Sequence, residues 1–459
     1  MTDQSVSGLE ALGAFATTLH VDRLPAEVVR RAQACLVYGL AVGVASGQAS
    51  TSTMATAILT QEYGSLPSGL ATCLLDGRNI SPGAAAFANA TLMHARVQED
   101  AHPAGHVGVV VVPAALAMAQ HCQATGAELL TSIVAGYEVA LRIGRDHATD
   151  ASERGFRTTP LYGVFGAAAA GAHLLKLEHA RVVSALAFAA NMAAGLREFV
   201  HAGTEEFPFH AGFAARNGLL AAQCGQVGAL AAATTLEGIA GFYRSYGGVT
   251  QSYGARITEH LNHDFELDQI TYNPYPTCQF NRSVIRGVLE LREQLLGKTL
   301  ESIVLEMHPF EADFIGMRYV GPFRQFAQTF MSAPFCAALA WCHGSVTYQG
   351  MHGFTDQEVL NVALLIELRS NPAISRYQPH ICLKTSEGDT VVWKETPDTQ
   401  RYALTWDTAC DMAGRLMREV GVTDALIEAL IAEVNALPTA QSVVGVVSAV
   451  RRAMMRSHL

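Results

Sequence analysis

One stretch of this 459-residue chain concentrates the side chains that move protons and bind anions. Asn89 to Gln120 reads NATLMHARVQEDAHPAGHVGVVVVPAALAMAQ and holds one arginine, two acids and three histidines, in a protein where only 16% of residues are charged. Imidazole accepts and donates protons near neutral pH. His102 and His106 are therefore candidate acid–base groups, with Glu99 and Asp100 beside them and Arg96 as a candidate carboxylate binder. Pro103, Gly105 and Gly108 interrupt any continuous helix. The pattern predicts a helix ending near Arg96, a polar loop, then a buried helix from about Pro113. His102 and His106 have the i, i+4 spacing of a helical zinc pair, but the intervening proline and glycine spoil it. No third ligand is marked, so no metal is expected.

Two further segments carry polar groups. SERGFRTTPLYGVFGAAAAGAHLL (152–175) sets Arg154 and Arg157 ahead of a Gly/Ala-rich helix whose first turn holds Thr158, Thr159 and Tyr162. The free N–H groups of a helix start reinforce a guanidinium in holding a carboxylate. The plainer alternative is that the glycines serve helix packing and the arginines are solvated. The glycines do not form the GxGxxG nucleotide fingerprint, and no organic cofactor is expected. NPYPTCQFNR (273–282) is a stiff turn that presents Tyr275, Cys278, Gln279, Asn281 or Arg282. Cys278 has no marked histidine partner, so an inert buried thiol is the simpler reading.

The elements that must position these groups are mostly helices. Half the residues are hydrophobic and Ala and Gly abound, which suits closely packed helices. Helical periodicity marks 51–63, 82–96, 112–124, 126–145, 161–175, 179–196, 212–230 and 235–242. The texture changes near Leu267: ESIVLEMHP (301–309) alternates like a strand, and PHICLKTSEGDTVVWKE (379–395) reads as a hairpin turning at Glu387–Gly388. Between them 334–341 and 356–366 look helical. The expected fold is mainly α with a smaller α+β domain: a helical domain from 1–266 and 405–459, and an inserted α+β domain at 267–404. A cleft between two such domains is the default place for a small-molecule site.

A net charge of −10 argues against nucleic-acid or acidic-membrane partners, while leaving room for an anionic small molecule at a local positive patch. Lysine occurs only at 176, 298, 384 and 394, so anion binding falls to arginine, the better bidentate carboxylate binder. Nine scattered cysteines without a CxxC pair, and no secretory leader, read as reduced thiols in a cytoplasmic protein. The apolar runs are too short or too polar for a membrane span.

Together the polar blocks resemble the MmgE/PrpD family, which includes 2-methylcitrate dehydratase, cis-aconitate decarboxylase and iminodisuccinate epimerase. The opening stretch resembles the family's N…AH(A)LDFDDTH…HP…PAALALAE block. GYEVALRIG (136–144), RGFRTTPLYGVFGAAAAGAHLLKL (154–177), FHAGFAARNGLLAA (209–222), NPYPTCQF (273–280) and FAQTFMSAPFCAALAW (326–341) match further blocks in order. The resemblance implies a large helical plus a small α+β domain, a cofactor-free homodimer, and a site between domains. It favours His106, the His of the family's HP block, as the base, with His102 or Tyr162 opposite, Arg157 and Arg96 on substrate carboxylates, and His210 among the site residues. Several family positions differ: Val97 stands for an Asp, Ala101 for a Thr, Phe207 and Asn273 for lysines, and Arg157 for a His. Loss of these groups points to epimerisation at the carbon α to a carboxylate of a di- or iminodicarboxylic acid. A dehydratase or decarboxylase is the alternative, and a non-catalytic metabolite-binding relative a second.

Overall fold

The computed structural model describes residues 6–63, 70–248, 253–398 and 400–456. The larger part is a bundle of α1 (Ala26–Ala45), α2 (Pro82–His94), α3 (Gly108–His121), α4 (Gly126–Gly144), α5 (Thr158–Leu174) and α6 (Phe207–Gln226), with shorter helices around them. Small residues set its spacing. Gly136 and Gly166 meet where α4 crosses α5, and a Cβ on Gly136 would lie 2.8 Å from the Gly166 carbonyl oxygen. Alanine at either position would push the two backbones apart. α1 is long and apolar enough to cross a bilayer, but 89% of its most apolar window is buried inside the protein, which accounts for its composition.

The smaller part contains a four-stranded sheet of β1 (Leu300–Met307), β2 (Ile366–Ser370), β3 (His380–Thr385) and β4 (Thr390–Lys394), in the order β2-β1-β3-β4. β1 pairs parallel with β2 and antiparallel with β3, and β3–β4 is the expected hairpin. The helices α7 (Arg282–Gln294) and α8 (Ala333–His343) complete this part. The protein is thus mainly α with a smaller α+β part.

Three elements differ from expectation. Residues 357–363 are helical, but Ile366–Ser370 is a strand. α3 begins at Gly108 and takes Pro113 inside it. The helix expected at 235–242 is replaced by turns and a short helix, Phe242–Gly247.

Buried side chains form two cores. One is drawn from residues between Leu9 and Ile270 and between Leu404 and Met454. The other runs from Phe280 to Trp393 and takes in Val97, Phe199 and Phe207 from the helical part. Those three side chains mark where the two parts meet.

Candidate active site

A cavity of about 560 Å³ opens at that junction. One wall is polar: His94, Glu99, His106, Thr158, Arg157 and Arg197. The other is largely aromatic, with Phe280, Phe310, Phe314, Phe330 and Met331 from the smaller part.

The polar wall is assembled from three places. His94 is the last residue of α2, and the loop after it is tied down at several points. Asn273 donates its side-chain amide to the carbonyls of Val97 (3.0 Å) and Thr277 (2.6 Å). Ala101 exchanges backbone hydrogen bonds with Thr271, and the Tyr38 hydroxyl donates to the Gln98 carbonyl. The NPYP segment therefore holds the histidine loop in place. Arg157 sits at the N-cap of α5 with no side-chain cap bond of its own. A short antiparallel bridge, Phe156 with Leu196, brings Arg197 beside it: Arg157 N donates to Gly195 O and Arg197 N to Gly155 O.

The hydrogen bonds assign the tautomers. His106 Nδ1 lies 2.9 Å from the Asp100 carbonyl, so it carries a proton, and it is 3.4 Å from Glu99 Oε1. Nε2 of His106 makes no hydrogen bond among the described residues, and the ring borders the cavity. Burial lowers this imidazole's pKa, against the opposing pull of Glu99. His94 accepts from Arg157 Nη2 at 2.5 Å through Nε2, which leaves Nδ1–H facing Glu99 Oε1 at 3.0 Å. Burial and the Arg157 charge hold His94 well below the usual imidazole range, so it is neutral. Both Glu99 oxygens are buried without a well-aligned donor, since the His94 contact is short but off the bond axis. Burial accordingly pushes the Glu99 carboxyl up.

Arg157 spends Nη1 on the Phe207 carbonyl (2.7 Å) and lies over the Phe199 and Phe207 rings. Burial lowers its pKa to about 10, so it remains a cation at neutral pH. Arg197 donates Nη1 to Ser152 and stacks on Phe314 at 4.2 Å. Two guanidiniums and the start of α5, where Thr159 Oγ1 accepts from His106 N at 3.2 Å, make this wall suited to carboxylates.

Among the residues anticipated from sequence, Glu99, His102, His106, Arg157, Cys278 and Gln279 line the cavity. His102 is committed elsewhere: Nδ1 accepts from Ala104 N–H at 3.1 Å, and Nε2 lies 3.2 Å from Glu266. Burial would raise Glu266, but hydrogen bonds from His102 and Arg145 bring it to about 2. Burial pushes the Cys278 thiol up to about 12, consistent with an inert thiol.

The remaining anticipated residues do not line it. Tyr162 is fully buried one turn into α5 and bonds His147 at 2.8 Å, because the first turn of α5 faces the cavity and the second faces the core. Arg96 points back between the helices to Glu419 (2.7 Å) and the Ala45 carbonyl. Asp100 turns away to the Tyr137 hydroxyl, and burial lifts it to about 7. His210 lines a separate small crevice together with Pro160 and Asn217, and burial lowers it to about 4. Tyr275 packs against the second core.

Sequence reasoning did not single out His94, Arg197 or Tyr377 as site residues. Tyr377 borders the cavity from the smaller part with φ +62°, anchored by its N–H to Glu311 Oε1 at 2.9 Å. Positive φ on a bulky residue is a signal visible only in three dimensions. Val97, also lining, has φ +56°, uncommon for a β-branched side chain and easier for the Asp found there in the family pattern. Among the described residues no group of three or more His, Cys, Asp or Glu could hold a metal ion.

Residues 10–252, more than half of the chain, match the MmgE/PrpD N-terminal domain. The chain belongs to the MmgE/PrpD family. Similar proteins include the cis-aconitate decarboxylase-like protein oryM of Aspergillus oryzae, 33% identical over 245 residues (51% of this chain, 48% of the relative). A cis-aconitate decarboxylase of Aspergillus terreus is 28% identical over 248 residues (52% and 48%). The human cis-aconitate decarboxylase is 26% identical over 300 residues (62% and 60%). The chain thus spans about half the length of the two fungal relatives and 60% of the human one.

Proposed function

We propose that this protein is a lyase that removes a small group from a polycarboxylic acid, with His106 carrying the proton. The observation behind this is the unpartnered Nε2 of His106, in a cavity it shares with Arg157 and Arg197. Relatives named cis-aconitate decarboxylase support the C–C bond-breaking form. In that form Arg157, Arg197 and the start of α5 hold two carboxylates, and a third lies toward the aromatic wall. An apolar surround disfavours a carboxylate more than neutral CO2. The C–C bond to the departing carboxylate breaks and releases CO2. The electron pair of that bond forms a new C=C as the old double bond shifts toward the far carboxylate, and His106 Nε2–H delivers a proton to the far carbon of the former double bond. Burial keeps His106 neutral in the free protein, but a polyanion beside it favours the protonated form.

An epimerase acting on an iminodicarboxylate is the second reading. What favours it is a second imidazole, His102, on the same cavity. Against it, His102 accepts from Ala104 N–H through Nδ1 and turns Nε2 toward Glu266 at 3.2 Å, away from a substrate in the cavity. Supplying cis-aconitate and iminodisuccinate separately, and following CO2 release and optical rotation, tests the proposal. CO2 from the tricarboxylate supports it, whereas racemisation of the imino acid without CO2 would replace it with the second reading.

A further inference from the structure

Beside the catalytic cavity, and sharing His102, Pro103, Gln279 and Tyr377 with it, is a second pocket of about 340 Å³. Its charges are unevenly matched. Glu395 is answered by Arg286 at 2.5 Å and by Arg401 at 3.5 Å, and Asp398 by Arg401 at 3.5 Å. Arg282 and Arg376, which line the same pocket, have no carboxylate within ion-pair distance among the described residues. Arg282 is 91% buried by its 9% residual exposure, spends Nη1 on Thr271 Oγ1 and the Tyr272 carbonyl, and leaves Nε buried without a partner. The Tyr402 ring lies under its guanidinium carbon at 4.2 Å. The guanidinium carbon of Arg376 likewise lies 4.0 Å from the centre of the Phe310 ring. Glu311, which feels the charge of Arg376, is raised to about 7 by burial and so carries only part of a charge near neutrality.

We propose that this side pocket is a second anion site, taking a phosphate or carboxylate group between Arg282 and Arg376, distinct from the carboxylate wall formed by Arg157 and Arg197. A largely buried guanidinium whose Nη2 makes no hydrogen bond among the described residues gains from an acceptor it does not find in the protein. Two guanidiniums already packed on aromatic rings lose less freedom when they grip an oxyanion. The site stands whether or not the catalytic reading holds, because neither of its two anion-binding groups, Arg282 and Arg376, nor Tyr402 beside them, acts in that chemistry.

The test is calorimetric titration at constant ionic strength with inorganic phosphate and, separately, with tricarballylate, an unreactive tricarboxylate. Wild type, Arg376→Gln, Arg282→Lys and Arg157→Ala are compared. Arg376 is exposed, so its replacement leaves the fold intact. The site predicts saturable binding of one or both probes that weakens at least tenfold in Arg376→Gln, weakens in Arg282→Lys, and persists in Arg157→Ala. Binding of phosphate alone or of tricarballylate alone identifies which oxyanion the pocket takes. Wild-type affinity in Arg376→Gln, loss confined to Arg157→Ala, or no saturable binding of either probe would overturn it.

Discussion

Replacing Arg157 by alanine separates substrate binding from folding. Its guanidinium makes two internal contacts, to the Phe207 carbonyl and to His94, and faces the cavity with the rest of its fork. A hydrogen bond between charged partners contributes about 1.5–3 kcal/mol. At about 1.4 kcal/mol per factor of ten, losing one such bond weakens binding roughly 10- to 150-fold. Calorimetry with tricarballylate in an Arg376→Gln background, where the side pocket no longer competes for it, reads this directly, with urea unfolding as the check on the fold. Arg157→Lys should fall between, since it keeps the charge and loses the fork. The same Ala variant removes the charge that helps depress His94, so that imidazole's pKa should rise toward its ordinary value, read by NMR. Unchanged affinity in a stably folded Arg157→Ala protein would refute the reasoning and remove Arg157 from the substrate.

His106→Ala should lower turnover by about 10²–10⁴, the usual worth of a positioned acid or base, whereas His102→Ala should act mainly through stability. If His106 delivers the proton, kcat/KM falls as pH rises through its lowered free-protein pKa; if it abstracts one, kcat/KM falls on the acid side instead. Arg96→Met should reduce unfolding free energy by about 1.5–3 kcal/mol with KM unchanged, because its charge bonds Glu419 and not the cavity. Glu311 is raised from 4.5 to about 7, so the folded state holds its proton more tightly and loses stability as pH rises from about 4.5 through 7. Glu311→Gln should therefore melt above wild type at pH 8.5 and lose that advantage at pH 5.

The helices were legible because their apolar faces repeat at 3.6 residues, and the β3–β4 hairpin because Glu387–Gly388 lies between two alternating runs. Ile366–Ser370 was not, since NVALLIELRS is an apolar run that suits a helix or a strand, and only parallel pairing with β1 decides it. The loop of Glu99, His102 and His106 was visible from its charge density. Its directions were not: Asp100 follows Glu99 in sequence, yet one faces the cavity and the other Tyr137. Arg197 lies far from Arg157 in the chain and reaches it only through the Phe156–Leu196 bridge. His94 closes an apolar helix and has no sequence signal beyond its neighbourhood. Tyr162 shows the limit of spacing arguments, since it shares an N-terminal segment with Arg157 but not a face.

The central step is proton transfer from His106 to a substrate carbon as CO2 departs. Turnover of cis-aconitate in D2O, followed by mass spectrometry of product and headspace, tests this most directly. One CO2 released for each deuterium fixed on the product carbon, with both lost together in His106→Ala, is the predicted result. Deuterium entering recovered substrate or its epimer without CO2 release, or CO2 release undiminished in His106→Ala, would contradict it.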